Sequence, residues 1–386
     1  YAAARPLFER TIALREKAFG PDHNSVAATL NNLGILLRDT GDYGAARPPQ
    51  ERALAIWEKS PWPDRPSLAR TLDALAILDR DTGDYDGARS RYEQAMDIME
   101  KSFGSEHPEV ALQLHNLAVL LDATGEYAAA KSFQERALAI QEKTLRRDNP
   151  DVALGLVTLA SVHHHRGKDA AARPLLERAV AMQEKILGPE HLDVAASLVS
   201  LAALLSDAGA EGAAMPLQRR ALAIRERTLG PEHPDVGRSL AGAAQLALRM
   251  GDVRQALGAS LRAEQIGRQH LRLTARTLSE RQALRYAAVR ASGLDLALAL
   301  AAAPGTSKPD ARRVWDALIR SRALVLDEMA SRHHAVERLD DPEVTRIYQD
   351  FEAACERLAN LTVRGPGDTG VEVHRHLLVE ARQTKE

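Results

Sequence analysis

GPDHNSVAATLNNLGILLRDTGDYGAARPPQERALAIWEK, residues 20–59, decides the fold. Val26, Leu30, Leu33, Gly34 and Leu37 fall at i, i+4, i+7, i+8 and i+11, the stripe of a 3.6-residue helix. Gly41 ends that helix, since a left-handed backbone is cheap only without a Cβ. A second helix then runs from about Tyr43 to Lys59. Neither helix buries its stripe alone, so the stretch is half of a larger packing problem.

The rest of the chain solves that problem by repetition. Gly41, Gly83, Gly125, Gly167, Gly209 and Gly251 recur every 42 residues without insertion or deletion. So do the columns that begin at Leu30, Ala46 and Ala53, and a small-residue column of Gly34, Ala76, Ala118, Ala160, Ala202 and Ala244. Hairpins in strict register stack into a solenoid. The small columns mark where paired helices approach closely. Between units, the loop text Gly-Pro-Glu-His-Pro-Asp at Gly230–Asp235 supplies start signals. Pro66, Pro108, Pro150 and Pro234 suit the first helical position, and Glu109, Asp151 and Asp235 suit the positive helix end. His23, His107, His191 and His233 recur in these loops, which points to a capping or loop-packing role.

Composition narrows the function. The 386 residues carry 51 Lys plus Arg against 53 Asp plus Glu, a net charge of −2 that offers no broad field for nucleic acid. One cysteine excludes an internal disulfide framework and a Cys-based zinc ribbon. No apolar run reaches the roughly 20 residues of a membrane span. Only nine of the basic residues are lysine, an Arg and Ala bias that suits a GC-rich bacterial genome. We expect a cytoplasmic protein with no membrane or nucleic-acid partner. No phosphate loop, Gly-x-Ser-x-Gly elbow or Rossmann fingerprint occurs, so no catalytic residue or cofactor is assigned. His163, His164 and His165 point about 100° apart on a helix and do not close on one metal, so they read as a surface helix end. The column Glu16, Glu58, Glu100, Glu142, Glu184 and Glu226 is periodic and belongs to the scaffold.

The small, Leu and Ala columns, with Gly-Asp-Tyr turns at Gly41–Tyr43 and Gly83–Tyr85, resemble the tetratricopeptide repeat (TPR). The 42-residue length, with Gly-Pro-Asp-His at Gly20–His23 and Thr-Leu-Asn-Asn-Leu at Thr29–Leu33, resembles the kinesin-light-chain subclass. The resemblance implies an all-α fold: a right-handed superhelix of hairpins with a helical C-terminal extension. Residues 1–270 would be the array, a lone second helix followed by six hairpins, and 271–386 the extension. It also implies a concave groove lined by the first helices. Asn31, Asn32, Ile35 and Arg38 lie on its columns, followed by Asp73, Ala74, Ile77 and Arg80, by His115, Asn116, Val119 and Asp122, and by Val157, Thr158, Ser161 and His164. These positions vary from unit to unit while the core columns stay constant. We expect a protein or peptide ligand there, with Asn31, Asn32, Arg38, Asp73, Arg80, His115, Asn116 and Thr158 as the contacts. Amides would hold a peptide backbone and arginines would pair carboxylates.

Beyond Leu278, Leu-Ser-Glu-Arg-Gln-Ala-Leu-Arg-Tyr and Val-Trp-Asp-Ala-Leu-Ile-Arg-Ser-Arg-Ala-Leu-Val-Leu-Asp-Glu-Met at Val314–Met329 resemble the segment joining TPR arrays to CHAT domains, bacterial caspase-like peptidases. That family's catalytic His and Cys motifs are not found here. Cys355 lies in the amphipathic text Phe-Glu-Ala-Ala-Cys-Glu-Arg-Leu, so the peptidase would follow Glu386. The alternative is a stand-alone scaffold or cargo adaptor. Helices are expected over about 277–303, 309–338, 341–362 and 371–385, with Trp315, Leu318, Leu324 and Leu326 covering the sixth unit. Exposed apolar surface, or further units upstream, is expected near Tyr1. Pro49 should bend the second helix of the first unit, Trp62 is expected to stand exposed in the loop that follows, and His333-His334 would sit on a solvated face.

Overall fold

The computed structural model describes residues 3–60, 64–145, 149–303 and 306–322, together with 324, 346 and 353. Trp62, Leu326, His333, His334, Cys355, the helix expected over 371–385 and, apart from residues 346 and 353, the helix expected over 341–362 lie outside the described residues. The chain divides into two compact units, Tyr1–Val325 and Leu326–Glu386. Sixteen helices, all in the first, are described, and no strand is found among the described residues. The lone second helix is α1 (Ala4–Phe19). Six hairpins follow: α2 (Asn24–Asp39) with α3 (Tyr43–Lys59), α4 (Arg65–Asp81) with α5 (Tyr85–Phe103), α6 (Pro108–Ala123) with α7 (Tyr127–Thr144), α8 (Pro150–His165) with α9 (Asp169–Leu187), α10 (Leu192–Asp207) with α11 (Glu211–Leu229), and α12 (Pro234–Arg249) with α13 (Val253–Ala275). The extension contributes α14 (Glu280–Val289), α15 (Leu294–Ala302) and α16 (Lys308–Arg322).

The columns are the seams of this all-α solenoid. Ala46, Ala53 and their counterparts in all six hairpins are fully buried. At the head of the small-residue column, a methyl on Gly34 would strike the Gln50 side chain, which shows how close the paired helices run. The recurring histidines cap helices: Nδ1 accepts from the backbone N–H two residues on, at 3.1 Å from Ser25, 3.2 Å from Glu109, 3.2 Å from Asp193 and 3.1 Å from Asp235. Asn149 does the same with its amide oxygen at 2.8 Å. His23 and His107 also stack on Phe19 and Phe103. The glutamate column is structural too. Glu16, Glu100, Glu184 and Glu226 pair with Arg52, Arg136, Arg220 and Arg262 of the next second helix at 2.6–2.9 Å. Each of these arginines also donates to a carbonyl of the intervening loop, tying loop and helix together.

The proline pair lies inside α3, which runs from Tyr43 to Lys59, and Pro174 and Pro216 occupy the place of Pro48 inside α9 and α11. Two expectations are corrected. The helix expected over 277–303 is two, because Arg290–Gly293 leaves helical conformation to lie against α13. There Glu264 replaces the aliphatic residue of its column (Leu54, Met96, Leu138, Val180, Leu222). It accepts both Arg290 Nη atoms at 3.1 and 3.3 Å and Ser292 Oγ at 2.6 Å, and Ser321 of α16 also donates to it. Finally, the sixth unit is covered by Ala297, Leu300 and Val314. Trp315 faces away at 57% exposure, since Val314 takes the inward place on α16. At the other end Leu7, Leu14 and Phe19 of α1 are exposed.

Candidate partner-binding groove

Successive first helices touch one another, α2 with α4, α4 with α6, and so on to α12. A curved stack brings its inner elements closest, so the first helices form the concave wall. The expected contact residues divide by depth on that wall. Asn32 is exposed, and Arg38, Asp73 and Arg80 are half-buried. Asn31, His115, Asn116 and Thr158 are buried. His115 turns into its own hairpin, where Nδ1 meets Gln134 Oε1 at 3.0 Å. Burial pushes its imidazole down to about 4, and Arg80 adds repulsion. Asn116 reaches back one unit and donates to Asp73 Oδ1 at 2.7 Å. Asn31, Asn116 and Thr158 therefore build the floor, while Asn32, Arg38, Asp73 and Arg80 stay within reach of a ligand.

The floor is polar and charge-balanced. Arg38 holds Asp39 at 2.6 Å and Arg80 holds Asp81 at 2.9 Å, each pair on adjacent residues. Asp73 carries no arginine of its own. Burial raises its carboxyl to about 6, against the stabilising donor Asn116 and the charges of Arg38 and Arg80. A donor or cation brought by a ligand would be well received there.

Sequence reading missed the opposite wall. The stack comes round far enough for the sixth unit to meet the first. Arg238, at the start of α12, pairs with Asp235 and lies where Tyr43, Asp81 and Arg80 act on its charge. His233 Nε2–H donates to the Asp39 carbonyl at 3.3 Å. Beside this seam lies a cleft of about 570 Å³ lined by Arg5, Leu36, Asp39, Asp42, Leu229 and His233. No spacing within one unit signals these neighbours.

The histidine cluster is also more than a helix end. His163 occupies a core column (Leu37, Leu121, Leu205) and points inward, with burial lowering its basicity. His164 bridges Asp169 at 2.8 Å and Asp207 of the next unit at 3.2 Å, and His165 reaches Asp122 of the previous unit at 2.8 Å. Among the described residues no group of His, Cys, Asp or Glu is placed to hold a metal ion. Nor, among them, is any helix long and apolar enough to cross a membrane.

The tetratricopeptide repeat profile matches residues 1–59, 50–101, 67–143 and 151–227, together more than half of the chain. The chain belongs to the tetratricopeptide repeat family. TPR arrays are protein-interaction scaffolds, generally without catalysis of their own, and the polar concave wall fits that role. No curated protein matches the chain. Among solved structures, a Podosopora anserina putative kinesin light chain with nearly identical TPR-like repeats is 30% identical over 53% of this chain and 98% of its own, at a TM-score of 0.41. BtubC (BKLC) from P. vanneervenii is 24% identical over 52% of this chain and 80% of its own, at 0.43. A tetratricopeptide repeat protein from Parabacteroides merdae is 16% identical over 69% and 90%, at 0.46.

Proposed function

We propose that the TPR array binds an extended protein or peptide segment on the concave wall of its first four units. Asn32, Arg38, Asp73 and Arg80 make the contacts, on a floor set by Asn31, His115, Asn116 and Thr158. The observation that carries this reading is Asp73: a carboxyl half-buried on the wall, held by the neutral amides of Asn116 and Gln113, with no arginine of its own. Buried carboxylates that serve only stability are normally fully paired. Asp73 is left open to a backbone N–H or a basic side chain of a ligand, and Arg38 and Arg80 flank it for carbonyls or carboxylates.

The context we favour is the sensing or substrate-docking part of a bacterial CHAT peptidase in the cytoplasm, with the extension from about residue 271 leading toward the catalytic domain. Its support is the text around Leu278 and Val314–Met329. A caspase-like domain with His and Cys motifs in the reading frame after Glu386 is the expected finding. Its absence would favour a stand-alone scaffold or cargo adaptor.

The binding reading is tested by capture from a bacterial lysate, with the 386-residue chain as bait, beside Asn32→Ala/Arg38→Ala/Arg80→Ala and Asp73→Ala variants. Specific partners should be lost from both variants while circular dichroism stays unchanged. Retention of every partner by both folded variants would refute the groove assignment.

A further inference from the structure

The seam between the first and sixth units is built from two joints of unequal strength. The inner joint fixes the extension to the last repeat: Glu264 and Arg290, both under a tenth exposed, form a bidentate pair closed by Ser292 and Ser321. Backbone packing reinforces it. A methyl on Gly267 would collide with the Ala291 carbonyl, and one on Gly293 with the Ser260 carbonyl. Segment 290–293 and the helix before it therefore ride on α13 as one body.

The outer joint joins that body to the first two units. Tyr286 of α14 and His270 of α13 meet Tyr43 edge-on, with ring centroids 5.9 and 4.9 Å away. His270 accepts the Tyr286 hydroxyl at Nδ1 and donates Nε2–H to the Gly41 carbonyl. Arg285 pairs with Asp84, at the start of α5, at 2.5 Å, both partners about a quarter exposed. Three turn-side glycines make room: methyls on Gly41, Gly44 and Gly83 would meet Pro234, Thr277 and Val289. Gly125, Gly167, Gly209 and Gly251, equivalent to Gly41 in the other units, face open space. Aromatic edges, a single hydrogen bond to a carbonyl and one part-exposed ion pair are individually weak and reversible, whereas breaking a buried bidentate pair is costly. Under load the outer joint parts first.

We propose that α14 and the end of α13 are a latch that holds the last repeat on the first two, and that a polypeptide gains the concave wall when this latch opens. The second half rests on the binding reading above; the first does not. Release moves α14 away with α13, so occupancy of the wall is reported to the C-terminal extension as a displacement of its first helix.

The test is a distance measured by double electron–electron resonance on the full chain in a Cys355→Ala background. Spin labels go on Glu93→Cys in α5 and Arg272→Cys in α13, both exposed positions. The parent should show one narrow distribution. Arg285→Glu, and Arg285→Glu/Tyr286→Ala, should broaden it and lengthen it by at least about 5 Å, one helical turn. Tyr286→Phe, which keeps the ring and removes only the hydroxyl at His270, should shift it less. Circular dichroism monitors the repeats; should the double variant lose helix, Arg285→Glu alone decides. An unchanged distribution in the folded variants overturns the latch, whatever the wall binds. Widening with no change in captured partners overturns only the coupling to the wall.

Discussion

The junction of the first two units carries a buried charge cluster whose removal can be worked through. Asp79 is fully buried and accepts Arg47 Nη2 at 2.7 Å, with Arg91 on its other oxygen. It stands in a column otherwise filled by Leu37, Leu121, His163, Leu205 and Ala247. Restoring the column with Asp79→Leu leaves two guanidiniums side by side, one of them only 7% exposed. Burial and Arg47 already lower the Arg91 pKa, so repulsion is present even with the carboxylate in place. Breaking such a cluster costs about 3–5 kcal/mol. The lower end applies, because Arg47 retains half-exposed Glu51 at 3.5 Å. The chain itself contains an apolar solution: Met215 and Ala247 pack in one core where units five and six meet, beside Leu205 and Leu217. Arg47→Met/Asp79→Leu/Arg91→Leu combines the Met215 solution with the leucines found at the other two columns, Leu205 and Leu217. Replacing a buried ion cluster by packed aliphatics is neutral or stabilising by about 1–4 kcal/mol. Because stability in a solenoid is held locally, the assay is hydrogen exchange over α3–α5 beside urea unfolding. Exchange there should rise roughly a hundredfold in the single variant and return to the parent rate, or below it, in the triple. A single variant as protected as the parent, or a triple no better than the single, would refute the account.

Acid should weaken the array with a partial offset. His115 and His270 are held neutral by burial, each pushed down to about 4, and His233 is lowered as well. An unfolded histidine titrates near 6.5, so this stabilisation is complete above that pH and is lost as pH falls below it, by about 2 kcal/mol each for His115 and His270 at pH 5. Asp73, raised to about 6, works the other way: the folded state takes up its proton first, which returns about 1 kcal/mol at pH 5. Urea midpoints should therefore fall between pH 7 and 5, less steeply in His115→Gln and more steeply in Asp73→Asn; equal slopes in all three proteins would contradict the assignment. At the close-packed seam, Ala160 is fully buried among Ala172 and Leu176. Ala160→Leu should cost about 1–3 kcal/mol by overpacking, and an unchanged thermal midpoint would show slack where none is described.

Local features were legible in the sequence because each is decided within one 42-residue period. The α3 bounds, the buried alanine columns, the capping histidines and the scaffold role of the glutamates all follow from spacing and turn chemistry. What escaped is set by rotation accumulated over several units. His270, Tyr286 and Arg238 gain neighbours more than 150 residues away only because the stack comes round. Glu264 explains a second failure. One charge in an aliphatic column meets Arg290 and Ser292 of the segment that separates α14 from α15, a contact no helical periodicity announces. His163, His164 and His165 looked alike in the text, yet one step of a helix sends them into the core and toward two different neighbouring units.

The glycines at the turns show what repetition conceals. Identical letters at Gly83 and Gly167 share a positive φ, of 82° and 70°, and so the same backbone demand. Only Gly83 is also pressed against the Val289 side chain and the Arg285 carbonyl. Drift at Gly167 would loosen one bend, whereas drift at Gly83 would unseat a joint spanning most of the array. The two ends of this coil therefore carry constraints that its middle does not, although the same letter stands at each turn.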